Sequence, residues 1–323
     1  KEASQDEAFI LIKKRKNNSK NFYYLSKTKN LKEAARNLYS VLRIIKKKGY
    51  KKIAVEKIEN KGIGLAINDR LQKASSNKYM NTLVSVNNLS KNFSSFEAVK
   101  EISFSINESE ILGLLGPNGC GKTTTIGMML GLLKPTSGEV IINGLNVEKN
   151  RINLLKKMNF ISPYIELPKK LTVKENLMVY GKLYSVNNIN NRIDYLTETL
   201  RLSEFINKKT GELSSGQKNR VSLAKAVVND PDILLLDEPT ASLDPETGDF
   251  VRTFIEKISS EKKMSILLAS HNMNEVKRLC KSILMMKDGK IIDRGTPSEI
   301  INKHGKKNLE EVFLKLNRTK NEL

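Results

Sequence analysis

Gly116-Pro-Asn-Gly-Cys-Gly-Lys-Thr123 is the stretch from which the rest of this chain is read. It satisfies G-x-x-x-x-G-K-[ST], and its flanks have the required character: the apolar run ILGLLG at 111–116 before it and the helically patterned TTTIGMMLGLL at 123–133 after it. That context makes it a P-loop. Gly116, Gly119 and Gly121 let backbone N–H groups wrap a phosphate without Cβ clashes, and Pro117, Asn118, Cys120 and Thr124 complete the cradle. The helix N-terminus adds its positive end, Lys122 is placed to reach the β- and γ-phosphates, and Thr123 offers a hydroxyl to Mg²⁺. The Cys120 thiol has no base placed beside it by the sequence, so it is not read as a nucleophile.

Downstream, Ile233-Leu-Leu-Leu-Asp237-Glu238 is four apolar residues ending in two carboxylates, the pattern of a buried parallel strand delivering acids at its C-terminal edge. Phosphoryl transfer is dominated by positioning and charge neutralisation, so two acids can divide the work. Asp237 is assigned to Mg²⁺, and Glu238 to orienting and activating the attacking water.

With these two sites in hand, residues 81 to about 316 resemble the nucleotide-binding domain of ABC transporters. Leu213-Ser214-Ser215-Gly216-Gln217 is similar to that family's LSGGQ signature, with Ser215 in place of the first glycine, and precedes the helical pattern VSLAKAVV. Ala241-Ser-Leu-Asp244 looks like the D-loop, His271 in ILLASH looks like the switch histidine, and Phe93 stands at the adenine-stacking aromatic, with a buried core role as its rival reading. The other histidine, His304, lies in a polar tail and is given no role. The resemblance implies ATP and Mg²⁺, a head-to-tail dimer with a second nucleotide-binding domain, and coupling to a separate integral membrane permease. One departure stands out: in Asn159-Phe-Ile-Ser-Pro163, Pro163 occupies the family's usual Gln position, and proline has no side-chain oxygen to offer a metal or water, leaving Ser162 as a substitute.

The resemblance implies an α/β fold: a P-loop NTPase domain of ABC type at 80–303, with a helical subdomain at about 165–225 and a helical tail at 304–323. A small basic α/β domain at 1–79 precedes it. There AFILIKKR and NFYYLS read as strands, Leu31 to Lys47 as a helix, KKIAVEKI as a third strand and GLAINDRLQKAS as a second helix. Residues 8–76 resemble the C-terminal domain of the longer threonylcarbamoyl-AMP synthases; the synthase catalytic domain has no counterpart, so no synthase activity is expected. Ser75 to Lys78 reads as a linker, and Met80 as a natural independent start.

Composition bounds the partners. No apolar run reaches the roughly 18–20 residues of a membrane helix, no leader pattern opens the chain, and two cysteines suit a reducing compartment. A peripheral position on the cytoplasmic face of the membrane is expected. The net charge is +21, and residues 1–80 carry most of it, with 21 Lys and Arg against 7 Asp and Glu. Charge alone has little specificity, and no nucleic-acid partner is assigned. The leading expectation is the ATPase subunit of an ABC exporter. The alternative is a soluble ABC ATPase acting on the ribosome or nucleic acid, which the lone P-loop, with a single signature about 90 residues later, argues against.

Overall fold

The computed structural model describes residues 7–13, 20–50, 52–59, 61–65, 67–68, 71, 82–163 and 166–318. These separate into two compact units, Lys1–Thr82 and Leu83–Leu323.

The first unit is a parallel three-stranded sheet with a helix. Strands β1 (Glu7–Lys13), β2 (Phe22–Ser26) and β3 (Lys52–Val55) lie in the order β2-β1-β3, and helix α1 (Leu31–Lys47) makes the crossover. The apolar spacing of α1 does what the pattern predicts: Ala34, Leu38, Leu42 and Ile45 are buried with Ile10 and Leu25 of the sheet. The third strand is shorter than the sequence pattern, ending at Val55. Of the second helix, residues 63–65, 67, 68 and 71 are helical; the rest, the linker and Met80 lie outside the described residues.

The second unit carries the motifs. Strands β4 (Thr82–Phe93), β5 (Phe96–Asn107), β7 (Ser137–Ile142) and β8 (Leu145–Asn146) form a four-stranded sheet in the order β5-β4-β7-β8. A six-stranded sheet holds β6 (Ile111–Leu115), β9 (Met158–Ile161), β10 (Ile233–Asp237), β11 (Ser265–Ser270), β12 (Ser282–Lys287) and β13 (Lys290–Gly295). Its order is β13-β12-β6-β11-β10-β9, parallel throughout except for β13, which pairs antiparallel with β12.

The helices are α2 (Lys122–Met129), α3 (Val147–Leu155), α4 (Val173–Leu183), α5 (Ile189–Thr199), α6 (Ser215–Val227), α7 (Pro245–Lys262), α8 (Met273–Leu279), α9 (Pro297–Lys303) and α10 (Leu309–Arg318). Side-chain alternation along β10 sends Leu234 and Leu236 into a core shared with α4 to α8, and Ile233 and Leu235 into a second core shared with α2 and the four-stranded sheet. Both faces are therefore covered, which is why β6 and β10 read as unbroken apolar runs. Each fully buried leucine or isoleucine contributes roughly 1.5–3 kcal/mol, enough to fix the register that brings the strand ends to one edge.

Leu309 and Val312 of α10 are buried in the main core, and the largely buried His304 ring sits with Nε2 2.6 Å from Oδ2 of the buried Asp293 on β13. Lys303 holds the other Asp293 oxygen at 2.6 Å. His304 thus has a structural part that its surroundings in the sequence did not reveal.

Candidate active site

Three parallel strands, β6, β11 and β10, lie side by side and end at one edge, where each passes into a motif. After β6, the chain must curl tightly before α2 begins. Gly119 has φ +80° and Gly121 φ +106°, left-handed backbone that favours glycine, and a Cβ on Gly121 would stand 2.5 Å from the Ala98 carbonyl. Gly121 is also the N-cap of α2 and supplies no side-chain cap, so the first N–H groups of that helix are left for another acceptor. Here the sequence puts a helix end and withholds the usual Ser, Thr, Asp or Asn from it.

Lys122 is buried to 6% exposure, and its Nζ donates to the Gly116 carbonyl at 2.7 Å and the Pro117 carbonyl at 3.2 Å, holding the ammonium over the loop. Thr123 Oγ1 donates to Asp237 Oδ2 at 2.8 Å, joining the loop to the end of β10 across 114 positions of sequence. Asp237 is 2% exposed, and burial pushes its carboxyl up from the ordinary value while the Thr123 hydrogen bond pulls it down. Cys120 is buried, and that burial raises its thiol, which removes the thiolate a nucleophile needs.

Glu238 leaves β10 with φ +51°, uncommon for a residue with a Cβ, and its N–H donates to the Ala269 carbonyl at 2.8 Å. This turn aims the carboxylate back toward the loop. Oε1 lies 3.8 Å from Lys122 Nζ and 2.8 Å from His271 Nδ1. The imidazole follows β11 and is 55% exposed, so one carboxylate stands between a buried cation and an accessible ring.

Behind this pair lies a group the sequence reading missed. Glu275, 1% exposed, accepts hydrogen bonds from Ser270 Oγ at 2.8 Å and Thr240 Oγ1 at 2.9 Å, tying the segment after β10 to the segment after β11. Burial raises its carboxyl, and the two hydroxyls oppose the rise. The available signal was its position four residues after His271 in HNMNE, at the start of an Asn-capped helix.

The remaining predicted residues lie outside this cluster. Phe93 is 45% exposed with Lys91 Nζ 5.0 Å from its ring centre, so it is not a core phenylalanine. Ser214 is the N-cap of α6: its Oγ accepts from the Gln217 N–H at 3.3 Å, while Gln217 Oε1 accepts from the Ser214 N–H at 3.0 Å, a reciprocal capping box. Ser215 opens α6 without a left-handed φ, so serine in place of the first signature glycine is not strained. Gly216 faces Thr247, where a Cβ would make contacts of 3.2 Å. Asp244 caps α7 by accepting from the Thr247 N–H at 2.9 Å, which holds its carboxyl below the ordinary value. Ser162 and the exposed Pro163 line a cavity of about 220 Å³ together with Ser215, Asn219, Glu238 and Ala241.

A parallel sheet that delivers a glycine loop, an Asp–Glu pair and a histidine to one edge defines a P-loop NTPase. Comparison with known proteins narrows the class. The ABC transporter family model matches residues 99–241, and the model for the threonylcarbamoyl-AMP synthase C-terminal domain matches residues 1–76. The ABC transporter ATP-binding protein NatA of Bacillus subtilis is 34% identical over 68% of this chain and 89% of its own length. The bacitracin transport ATP-binding protein BcrA of Bacillus licheniformis is 34% identical over 72% of the chain and 75% of its own length. A Nod factor export ATP-binding protein I of Burkholderia lata is 36% identical, covering 66% and 71%. Among solved structures, an ATP-binding subunit of an ABC transporter aligns with TM-score 0.67 and 26% identity, covering 73% of this chain and all of its own. A dimeric post-hydrolysis ATP-binding cassette bound to ADP and Pi aligns with TM-score 0.62 and 27% identity, covering 66% and 98%. The chain belongs to the family of ABC transporter ATP-binding proteins, and it is an ATPase.

Proposed function

We propose that this chain is the ATP-hydrolysing subunit of an ABC exporter, acting at the cytoplasmic face of a membrane as a head-to-tail pair and coupling its ATP cycle to a separate permease. The observation that carries the catalytic half is the convergence of Thr123–Asp237 and Glu238–His271 on Lys122. The export half is supported by the bacitracin transport and Nod factor export proteins among its relatives, and no helix among the described residues is long and apolar enough to cross a membrane.

In this reading the loop N–H groups and Lys122 hold the β- and γ-phosphates, with Phe93 against the adenine. The Thr123 hydroxyl and Asp237 carboxylate form a two-oxygen set that suits a hard cation taking its other ligands from phosphate and water, as Mg²⁺ does; no cluster of three or more potential metal-binding side chains occurs among the described residues. Bound there, Mg²⁺ supplies charge neutralisation for the phosphoryl oxygens. Glu238 orients the attacking water and accepts its proton, and His271, against the same carboxylate, senses the γ-phosphate. Because Ser214 Oγ already accepts from Gln217, its hydroxyl proton is the part left to offer an anion, and with the N–H groups of α6 it closes over the nucleotide of the partner subunit. Asp244 lies on the loop that meets the partner. Pro163 removes the side-chain oxygen usual in its position, and Ser162 beside it supplies a replacement.

Glu238→Gln keeps the phosphate cradle and removes the base. It is expected to bind MgATP, lose hydrolysis by roughly 10²–10⁴-fold and accumulate as a dimer in sedimentation. A variant that stays monomeric at saturating MgATP would sink the two-subunit site.

A further inference from the structure

We propose that Lys225, a residue far from the phosphate cradle, is a positioning residue for ATP hydrolysis: its buried ammonium pins the signature helix to the strand that leads into Pro163. The proposal rests on the reading of Ser214–Gln217 as a nucleotide-closing element. Three observations carry it.

The first is where the charge sits. Lys225 is 9% exposed, near the end of α6 opposite the signature, and its ammonium has no carboxylate partner among the described residues. Instead Nζ donates to Asn159 Oδ1 at 3.2 Å and lies 5.4 Å from the Phe160 ring centre and 5.2 Å from that of Tyr180. A cation held by one amide oxygen and two ring faces is expensive to bury, and an apolar side chain of the same length would fill the space more cheaply. The second observation is what the charge joins. Asn159 and Phe160 belong to β9, Tyr180 to α4 and Lys225 to α6, so one ammonium links the sheet to two helices of the helical subdomain. Asn159 is itself a hub, donating to Asn229 Oδ1 at 3.2 Å and accepting weakly from Tyr184 OH at 3.5 Å. The third is leverage. Signature and lysine lie at opposite ends of one rigid helix, and β9 runs from Asn159 directly to Ser162 and Pro163. A small tilt at Lys225 is carried along roughly 16 Å of helix to Ser214.

The surroundings make the charge titratable in a useful range. Burial lowers the lysine to about 8. The groups in contact with it are Asn159 and Phe160 from β9 and Tyr180 from α4; Tyr184 at the end of α4 and Asn229 bond Asn159, and Asp230 follows α6. Arg192 of α5 bonds the Val228 carbonyl and pairs with Asp230 at 2.8 Å, and Lys262 of α7 lies 3.5 Å from the same carboxylate, so Asp230 is already committed. Tyr184 is raised by burial, and so stays neutral where Lys225 titrates. Because the folded state holds Lys225 below its unfolded value, the protonated lysine costs stability at neutral pH. That cost disappears as pH rises past the unfolded value.

The test is Lys225→Met in the full chain, with steady-state ATPase kinetics from about pH 7 to about pH 9.5 and thermal unfolding measured together. Expected are a several-fold lower kcat at neutral pH with KM for ATP unchanged, loss of the wild-type fall in kcat near the lysine's own value, and an unfolding temperature equal to or above wild type. Tyr180→Leu, which removes one ring face and leaves the amine, is expected to move that fall to lower pH. Wild-type kcat with the alkaline fall still present in Lys225→Met overturns the proposal. So does a loss of kcat that accompanies a lowered unfolding temperature, which makes the lysine merely structural, and so does an unmoved profile in Tyr180→Leu. None of these outcomes alters dimer trapping by Glu238→Gln, so failure here is distinct from failure of the two-subunit site.

Discussion

The chain contains a wholly parallel sheet and a sheet parallel except at its β13 edge, and their helix starts were solved in opposite ways. In the first unit, α1 follows β2, and Asn30 Oδ1 accepts the N–H groups of Lys32 and Glu33 at 2.8 and 3.2 Å, while Ser26 Oγ accepts from the Asn30 N–H and donates to Glu33. Its donors are consumed by the chain's own side chains. In the second unit, α2 follows β6 and opens on Gly121 with no side-chain cap, beside a buried lysine and the two carboxylates at the end of β10. The same strand-to-helix geometry thus yields a sealed turn in one sheet and an uncapped helix start, the candidate anion cradle, in the other. A parallel sheet supplies an edge; the side chains at that edge determine whether it binds anything.

The largest expected effect tests whether the chemistry belongs to the second edge alone. Lys122→Ala should lower ATP turnover by at least about 100-fold, the scale of removing one fixed charge donor from a phosphoryl-transfer site. Turnover at the wild-type rate would move the site elsewhere. A middle-sized effect concerns the frame behind Glu238. Glu275 is raised above the ordinary carboxylate value by burial, so ionising it costs stability. That stability is fully present below the unfolded value and is lost as pH rises through the raised folded value. Glu275→Gln should remove this part of the slope, so the gap in unfolding temperature between variant and wild type should shift in the variant's favour as pH rises through that window. A gap constant with pH would contradict the assignment. The smallest effect is expected from the first unit: a chain starting at Met80 should fold and hydrolyse ATP at nearly the full-length rate, at low and high salt, with and without tRNA. A several-fold difference that salt or tRNA modulates would show that the sealed sheet is not a passive neighbour.

Much of the candidate active edge was legible because its residues are bound to local rules. A glycine loop between an apolar strand and a helix, acids at the end of ILLLD and a histidine after ILLAS each have a reason to exist within a few positions of chain. Helix α1 was legible for the same reason, since the burial of Leu38 and Ile45 follows from a repeat read in one window. Four features could not be read that way. Glu275 in HNMNE looks like any helical acid until Thr240, 35 positions earlier, is brought against it. His304 has polar neighbours in sequence, yet its partner is Asp293 across the turn of the tail. Lys225 lies within the helical pattern VSLAKAVV, and only the packing of β9 and α4 against α6 shows that its charge is buried. Asp244, read as part of a nucleotide loop, also closes the start of α7.

By itself, then, the sequence determined the elements, the candidate phosphate cradle and the order in which the proposed catalytic groups arrive. Each depends on backbone conformation and side-chain period, which are properties of short stretches. The tertiary structure alone decided which ionisable groups meet, which are buried and which share a partner. Coulombic and desolvation energies depend on distance and dielectric in space, and strand order in a parallel sheet brings together residues that the chain keeps far apart.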